Sequence, residues 1–265
     1  MILGVGRMVL EEKKVFMHKG MKIVGIFTKP EELPPWPTVI MLHAYSSNKN
    51  DNGEIFPPLA KALAEKGYAS FRFDFRYSKP PWNAPNESDG YLSDMRISEW
   101  IDDALFIAEQ FASKDYIDYT RLGFIGISLG GFVGLYAAAL SEAISYVVAA
   151  SAPIEPYTPF IRLGFKEGND GSMVLKDLGL RLSREAVEEL KNYSIFNVIR
   201  KLRDKKVFLV YGERDTITPP EGGIKMCLVL GENCELKIID NANHRFATLE
   251  HVLVNTVVQW IYENV

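Results

Sequence analysis

Residues 123–131 read Gly-Phe-Ile-Gly-Ile-Ser-Leu-Gly-Gly, which sets Gly126-x-Ser128-x-Gly130 between an apolar, strand-like run and an Ala-rich, helix-like run. A serine at a sharp strand-to-helix turn is pushed clear of the sheet. Glycines two before and two after leave room for the turn, because a Cβ there would collide with the neighbouring strand or helix. The helix that follows directs its unpaired N–H groups and the positive end of its dipole at the hydroxyl. Ser128 is placed as an attacking group. A phosphate-binding loop also joins strand to helix, but the spacing here fits neither G-x-G-x-x-G nor G-x-x-x-x-G-K-[ST].

A serine needs a base and an acid, and both follow in order. Lys206-Val-Phe-Leu-Val-Tyr211 reads as a buried strand that ends in Gly212-Glu213-Arg214-Asp215-Thr216-Ile217-Thr218-Pro219. An acid just past a parallel strand lies at the carboxyl edge of the sheet, where open α/β sheets bind ligands. Residues 234–240 read as another strand, leading into Asn241-Ala242-Asn243-His244-Arg245-Phe246. Taken singly, Asp215 is an ordinary turn former and His244 an ordinary loop residue. Three such residues in the order Ser, Asp, His on three strand ends define a hydrolytic triad.

These pieces, with Leu42-His43-Ala44-Tyr45 and Phe73-Asp74-Phe75-Arg76, run from about residue 38 to the end of the chain. On them the sequence resembles serine hydrolases of the α/β-hydrolase superfamily, and within it the small carboxylesterases of the cinnamoyl/feruloyl esterase type. The resemblance implies an α/β-hydrolase fold, with Ser128 as nucleophile, His244 as base and Asp215 as its orienting acid. It also implies an oxyanion hole made by the backbone N–H groups of Tyr45 and Leu129. Two positions depart from the usual pattern: Ala44 stands where the early loop normally has Gly, and Tyr77-Ser78 where Gly usually follows. His43 is expected to support the early loop, and Glu155 to be the nearest substitute for Asp215.

Composition narrows the partners. The chain has 265 residues and a net charge of −4, which gives no reason to expect nucleic acid or an anionic membrane surface. Residues 122–141 carry no charge, long enough to suggest a membrane span, but their glycines cluster at the Ser128 turn, so a buried strand, turn and helix explain them better. The first ten residues are too short for a signal segment. The basic run Arg200, Lys201, Arg203, Lys205, Lys206 reads as a solvated helix end, and His18 as a turn residue. Cys227 and Cys234 are the only cysteines, expected to be reduced core residues unless the source is a hyperthermophile. No cysteine or histidine spacing matches a metal site, and no cofactor is implied. A cytoplasmic protein acting on a small-molecule ester follows, with a homodimer left open.

Along the chain, an opening antiparallel hairpin (15–17 and 21–27) precedes alternating strands and helices. Strands fall at 38–42, 69–75, 122–127, 145–150, 207–211 and 236–240, and helices at 54–66, 98–112, 131–140 and 252–263. This pattern predicts a mostly parallel central sheet covered by helices on both faces. Residues 1–150 and 206–265 then form the core, and residues 151–205, whose second part reads as helix over 183–202, a cap over the site. Trp82, Tyr157, Phe160 and Phe165 are the candidate pocket walls. The expected reaction is hydrolysis of short-to-medium acyl or aromatic, hydroxycinnamoyl-like esters through an acyl-enzyme. A peptidase or amidase, a thioesterase, a carbon–carbon hydrolase, and a silent ligand-binding version of the fold are the alternatives.

Overall fold

The computed structural model describes residues 9–265 apart from Asn52, so the reading of the first eight residues lies outside the described residues. The chain opens with β1 (Leu10–His18) and β2 (Met21–Lys29), an antiparallel pair longer than the sequence suggests. Lys19 and Gly20, with φ of 48° and 77°, make the turn. Then come β3 (Trp36–Leu42), α1 (Phe56–Ala64), β4 (Ala69–Asp74), α2 (Ile97–Ala112), β5 (Ile117–Ile127), α3 (Leu129–Ala138) and β6 (Tyr146–Ala150). Residues 151–205 contain α4 (Thr158–Arg162), β7 (Lys166–Glu167), β8 (Met173–Leu175), β9 (Leu180–Leu182) and α5 (Arg184–Asn192). The chain closes with β10 (Lys206–Gly212), α6 (Glu221–Leu230), β11 (Cys234–Ile239) and α7 (Glu250–Asn264).

Eight strands form one sheet in the order β1-β2-β4-β3-β5-β6-β10-β11, parallel from β4 onward. Side chains alternate across it with the period of two that a strand imposes. In β3, Val39 and Met41 face the layer of α1 and α7, while Ile40 and Leu42 face the layer of α2, α3 and α6. β10 repeats the split, with Phe208 and Val210 on one side and Val207, Leu209 and Tyr211 on the other. Both faces are therefore apolar and covered, as an α/β-hydrolase sheet requires. No helix of the described residues is long and apolar enough to cross a membrane; the uncharged run 122–141 divides into the end of β5, the Ser128 turn and α3.

Residues 151–205 differ in detail from expectation. Within 183–202, α-helix forms only over Arg184–Asn192, N-capped by Ser183, whose Oγ accepts from the Ala186 N–H at 3.2 Å; two short 3-10 turns follow. Ahead of it β7, β8 and β9 make a small antiparallel sheet. Strands of two or three residues carry no readable alternation, which is why the sequence hides them. Phe160, Phe165, Met173 and Leu190 are buried in the same apolar core as α2 and α3.

Three further expectations are corrected. Cys227 and Cys234 form a disulfide between α6 and β11, because the intervening turn brings their Cα atoms to 5.1 Å, within bonding reach. Lys205 is buried, not solvated: its ammonium donates to the carbonyls of Ser141 (3.0 Å) and Ile144 (2.6 Å) beyond the end of α3. His18 is more than a turn residue, since its ring stacks on Phe106 and its Nε2 lies 2.6 Å from Asp102 Oδ2. His18, Asp102 and Asp103 cluster as metal ligands might, but Lys19 and Arg76 already lie on the carboxylates.

Arg76, just past β4, is 1% exposed and bonds Asp103 (2.5 Å), Glu99 (2.7 Å) and Asp102 (3.0 Å) on α2. Removing one partner of a buried pair leaves the other charge uncompensated. Asp103→Ala is expected to lower unfolding free energy by about 3–5 kcal/mol in urea titrations; a loss under about 1 kcal/mol would show that Glu99 and Asp102 suffice.

Candidate active site

Ser128 occupies the turn from β5 to α3 with φ 53° and ψ −119°, a conformation that a residue with a Cβ rarely adopts. Two close approaches hold it there. A Cβ on Gly126 would lie 2.2 Å from the Gly130 carbonyl oxygen, and one on Gly130 would lie 2.1 Å from the Leu42 oxygen. Only glycine lets α3 and β3 come so near. The Ser128 N–H is tied to the Ala150 carbonyl at 2.8 Å.

The loops that carry Asp215 and His244 are stitched together beside it. Gly212 abuts the Ala242 carbonyl, where a Cβ would sit at 2.4 Å, and Arg214 N donates to that same carbonyl at 2.8 Å. Asp215 Oδ1 accepts the N–H groups of Ile217 (2.9 Å) and Thr218 (2.8 Å). Its Oδ2 lies 2.9 Å from His244 Nδ1, and His244 Nε2 lies 2.9 Å from Ser128 Oγ. With a proton on Nδ1, the imidazole donates to Asp215 and accepts from the Ser128 hydroxyl. Burial alone would push the Asp215 carboxyl up. The hydrogen bonds from His244 and Thr218, with the imidazole's charge, outweigh it and hold the carboxyl below its ordinary range.

Leu129 is the first residue of α3, so its N–H has no partner within the helix. The Tyr45 loop is braced from two sides. Ala44 N donates to Asp51 Oδ1 at 2.9 Å. His43 is fully buried, with Nδ1 2.8 Å from the Ala44 oxygen and Nε2 accepting from Phe75 N at 3.2 Å. One ring nitrogen donates and the other accepts, which only the neutral imidazole can do. Burial lowers its pKa to about 4.

Ser128 and His244 open on a cavity of about 90 Å³. Its walls are Tyr45, Ser46, Ile55 and Ile127 from the core, Leu163, Phe165, Leu175, Leu178 and Leu180 from residues 151–205, and Asp51 and Arg245 among the charged groups. Of the candidate wall residues, Phe165 lines it. Phe160 stands behind, its ring edge-on to Tyr45 (4.8 Å) and Phe165 (5.3 Å). Tyr157 points outward, its hydroxyl on Glu167 and its ring under the Lys191 ammonium, and Trp82 is 43% exposed outside these walls. Sequence reasoning missed Leu175, Leu178 and Leu180 because they belong to the short strands and their turn. Glu155 is exposed and lines a separate pocket of about 370 Å³ beyond the acid loop, with Arg162 and Lys225; it makes no contact with His244. Thr218, read only as part of the turn, proves to touch both Asp215 and His244.

A serine on a strained strand-to-helix turn, with an acid and a histidine past later strands at the same edge of a mostly parallel, doubly covered sheet, defines the α/β-hydrolase fold. The prolyl oligopeptidase family matches residues 98–265, and the chain belongs to that family. An uncharacterized 31.7 kDa protein of the traX-finO intergenic region of Escherichia coli is 27% identical over 140 residues, a segment covering 52% of this chain and 46% of that protein. The chain thus spans about half the length of the curated relatives it matches. Among solved structures, Est1E from Butyrivibrio proteoclasticus with bound ferulic acid superposes with a TM-score of 0.80 at 21% identity, covering 94% of this chain and 98% of that one. The α/β hydrolase GrgF from Penicillium sp. sh18 gives 0.76 at 19%, over 96% and 98% of the two chains.

The state of His43 has a measurable consequence. An unfolded histidine takes up a proton near pH 6.5, whereas His43 in the fold resists until about pH 4. Its contribution to stability is therefore complete above about pH 6.5 and is lost as pH falls toward 4. The stability advantage of the native chain over His43→Gln is expected to shrink by about 2 kcal/mol between pH 7 and pH 4.5, measured by urea titration. A constant gap would mean that His43 is not the buried neutral group.

Proposed function

We propose that this protein is a serine carboxylesterase acting on short-to-medium acyl esters. One observation supports this above the others: an unbroken hydrogen-bond line from Ser128 through His244 to Asp215, with Ser128 lining a mostly apolar cavity. His244 Nε2 removes the hydroxyl proton as Ser128 Oγ bonds to the ester carbonyl carbon. The carbonyl electron pair moves to oxygen, where the N–H groups of Leu129 and Tyr45 receive it. Loss of one such donor typically costs about 3 kcal/mol. The carbon–oxygen bond to the alcohol then breaks, and the alcohol leaves with the proton from Nε2. Water repeats the cycle on the acyl-enzyme and releases the carboxylic acid.

The cavity bears on acyl size. Leu175, Leu178 and Leu180 wall the space beside Ser128, and a hydroxycinnamoyl group would contact them more than a short acyl chain does. Ferulic acid bound to Est1E, a protein of the same fold, supports an aromatic acyl group as a candidate substrate. A second reading, cleavage of a peptide or amide by the same residues, draws on the family match.

A fluorophosphonate probe is expected to label Ser128 in the native chain and not in Ser128→Ala. That variant should lose at least about a thousandfold in p-nitrophenyl butyrate hydrolysis while keeping its fold by circular dichroism. Turnover retained in Ser128→Ala would remove the assignment, and matched amides cleaved faster than esters would favour the second reading. Enlarging the cavity with Leu175→Ala should raise the kcat/KM ratio of feruloyl over acetyl esters by about tenfold, since each methylene at a pocket wall is worth about 1–3 kcal/mol. An unchanged ratio would take the hairpin out of substrate selection.

A further inference from the structure

We propose that Thr218 is a fourth member of the Ser128–His244–Asp215 line, a positioning residue whose hydroxyl holds the imidazole in both of its charge states. This rests on the hydrolase reading above. Thr218 lies in the acid loop, and that loop does not need its side chain: the backbone N–H groups of Ile217 and Thr218 already close the turn on Asp215 Oδ1. A valine would fill the same space, so the hydroxyl is the feature that calls for a reason.

Its surroundings supply one. Thr218 is 4% exposed, and Oγ1 lies 2.7 Å from Asp215 Oδ2, 2.9 Å from the Ser151 carbonyl oxygen and 3.0 Å from His244 Nδ1. The hydroxyl has one proton for two acceptors and a lone pair for the Nδ1–H. With neutral imidazole, the shortest contact favours donation to the carboxylate, a charge-assisted bond. Once His244 has taken the Ser128 proton, rotation about the Cβ–Oγ1 bond turns the hydroxyl proton to the Ser151 oxygen. Asp215 Oδ2 is then left to the imidazolium, and a Thr218 lone pair faces Nδ1–H. No heavy atom moves.

The second acceptor is itself held at a cost. Ser151 follows β6 with φ 49°, the left-handed region, although it is not glycine. Its N–H is tied to the Val210 carbonyl at 2.8 Å, and the turn brings its own carbonyl to Thr218. Such backbone strain persists where the surrounding structure over-determines it.

The test compares Thr218→Val, Thr218→Ala and Thr218→Ser, with folding checked by circular dichroism. Val and Ala should lower kcat on p-nitrophenyl butyrate about ten- to a hundredfold with KM within about twofold, and Ser should restore kcat to within about threefold of native. The His244 Nδ1 proton, followed by NMR on histidine-labelled protein, should shift or broaden in Val and Ala and return in Ser. Rates of Ser128 labelling by a fluorophosphonate should follow the same order. Because labelling needs no ester turnover, that readout stands even if the ester reading fails. Native kcat, labelling rate and Nδ1 resonance in either Val or Ala would overturn the proposal, as would a change confined to KM.

Discussion

Everything at the candidate site depends on how closely backbone can approach backbone around Ser128. Helix α3 packs so near β3 and the end of β5 that the carbonyls of Leu42 and Gly130 occupy the space a methyl group would need at residues 130 and 126. That contact holds Ser128 in a strained, positive-φ conformation and fixes the direction of its hydroxyl. It also sets the Leu129 N–H and the end of β3, from which His43, Ala44 and Tyr45 run, on the same side. The candidate nucleophile and the candidate oxyanion donors are one packing event, not separate features.

Around this point the polar groups are held in single, defined states. His43 must be neutral because its nitrogens face a carbonyl and an N–H. Asp215 stays ionised because hydrogen bonds on both oxygens outweigh its burial. Electrostatic help in catalysis comes from groups already oriented before charge develops. The loops carrying these groups are short and cross-linked, Arg214 to Ala242 and Ala44 to Asp51, so little reorganisation is needed.

Much of this was legible in the sequence, for physical reasons. Strands with both faces buried appear as continuous apolar runs, and the glycines about Ser128 mark contacts that tolerate no side chain. The order Ser128, Asp215, His244 follows from the succession of strand ends. What stayed hidden depends on distant parts of the chain. Lys205 looked solvated because its partners are carbonyls some sixty residues earlier. The cysteine pairing depends on where a helix ends relative to an edge strand. The leucines of the small hairpin lack the length for any period to show, and Tyr157 and Trp82, chosen as aromatics near the site, turn elsewhere.

Residues 151–205 share one continuous apolar core with α2 and α3 rather than resting on it across a polar seam. Swinging this segment open as a rigid flap would expose Phe160, Phe165, Met173 and Leu190 together, a penalty of several kcal/mol. A way to Ser128 that leaves this core intact lies at the rim of the cavity, where Leu178 and Arg245 meet solvent. Substitutions at those rim side chains would reshape the way in without touching the Ser128–His244–Asp215 hydrogen-bond line.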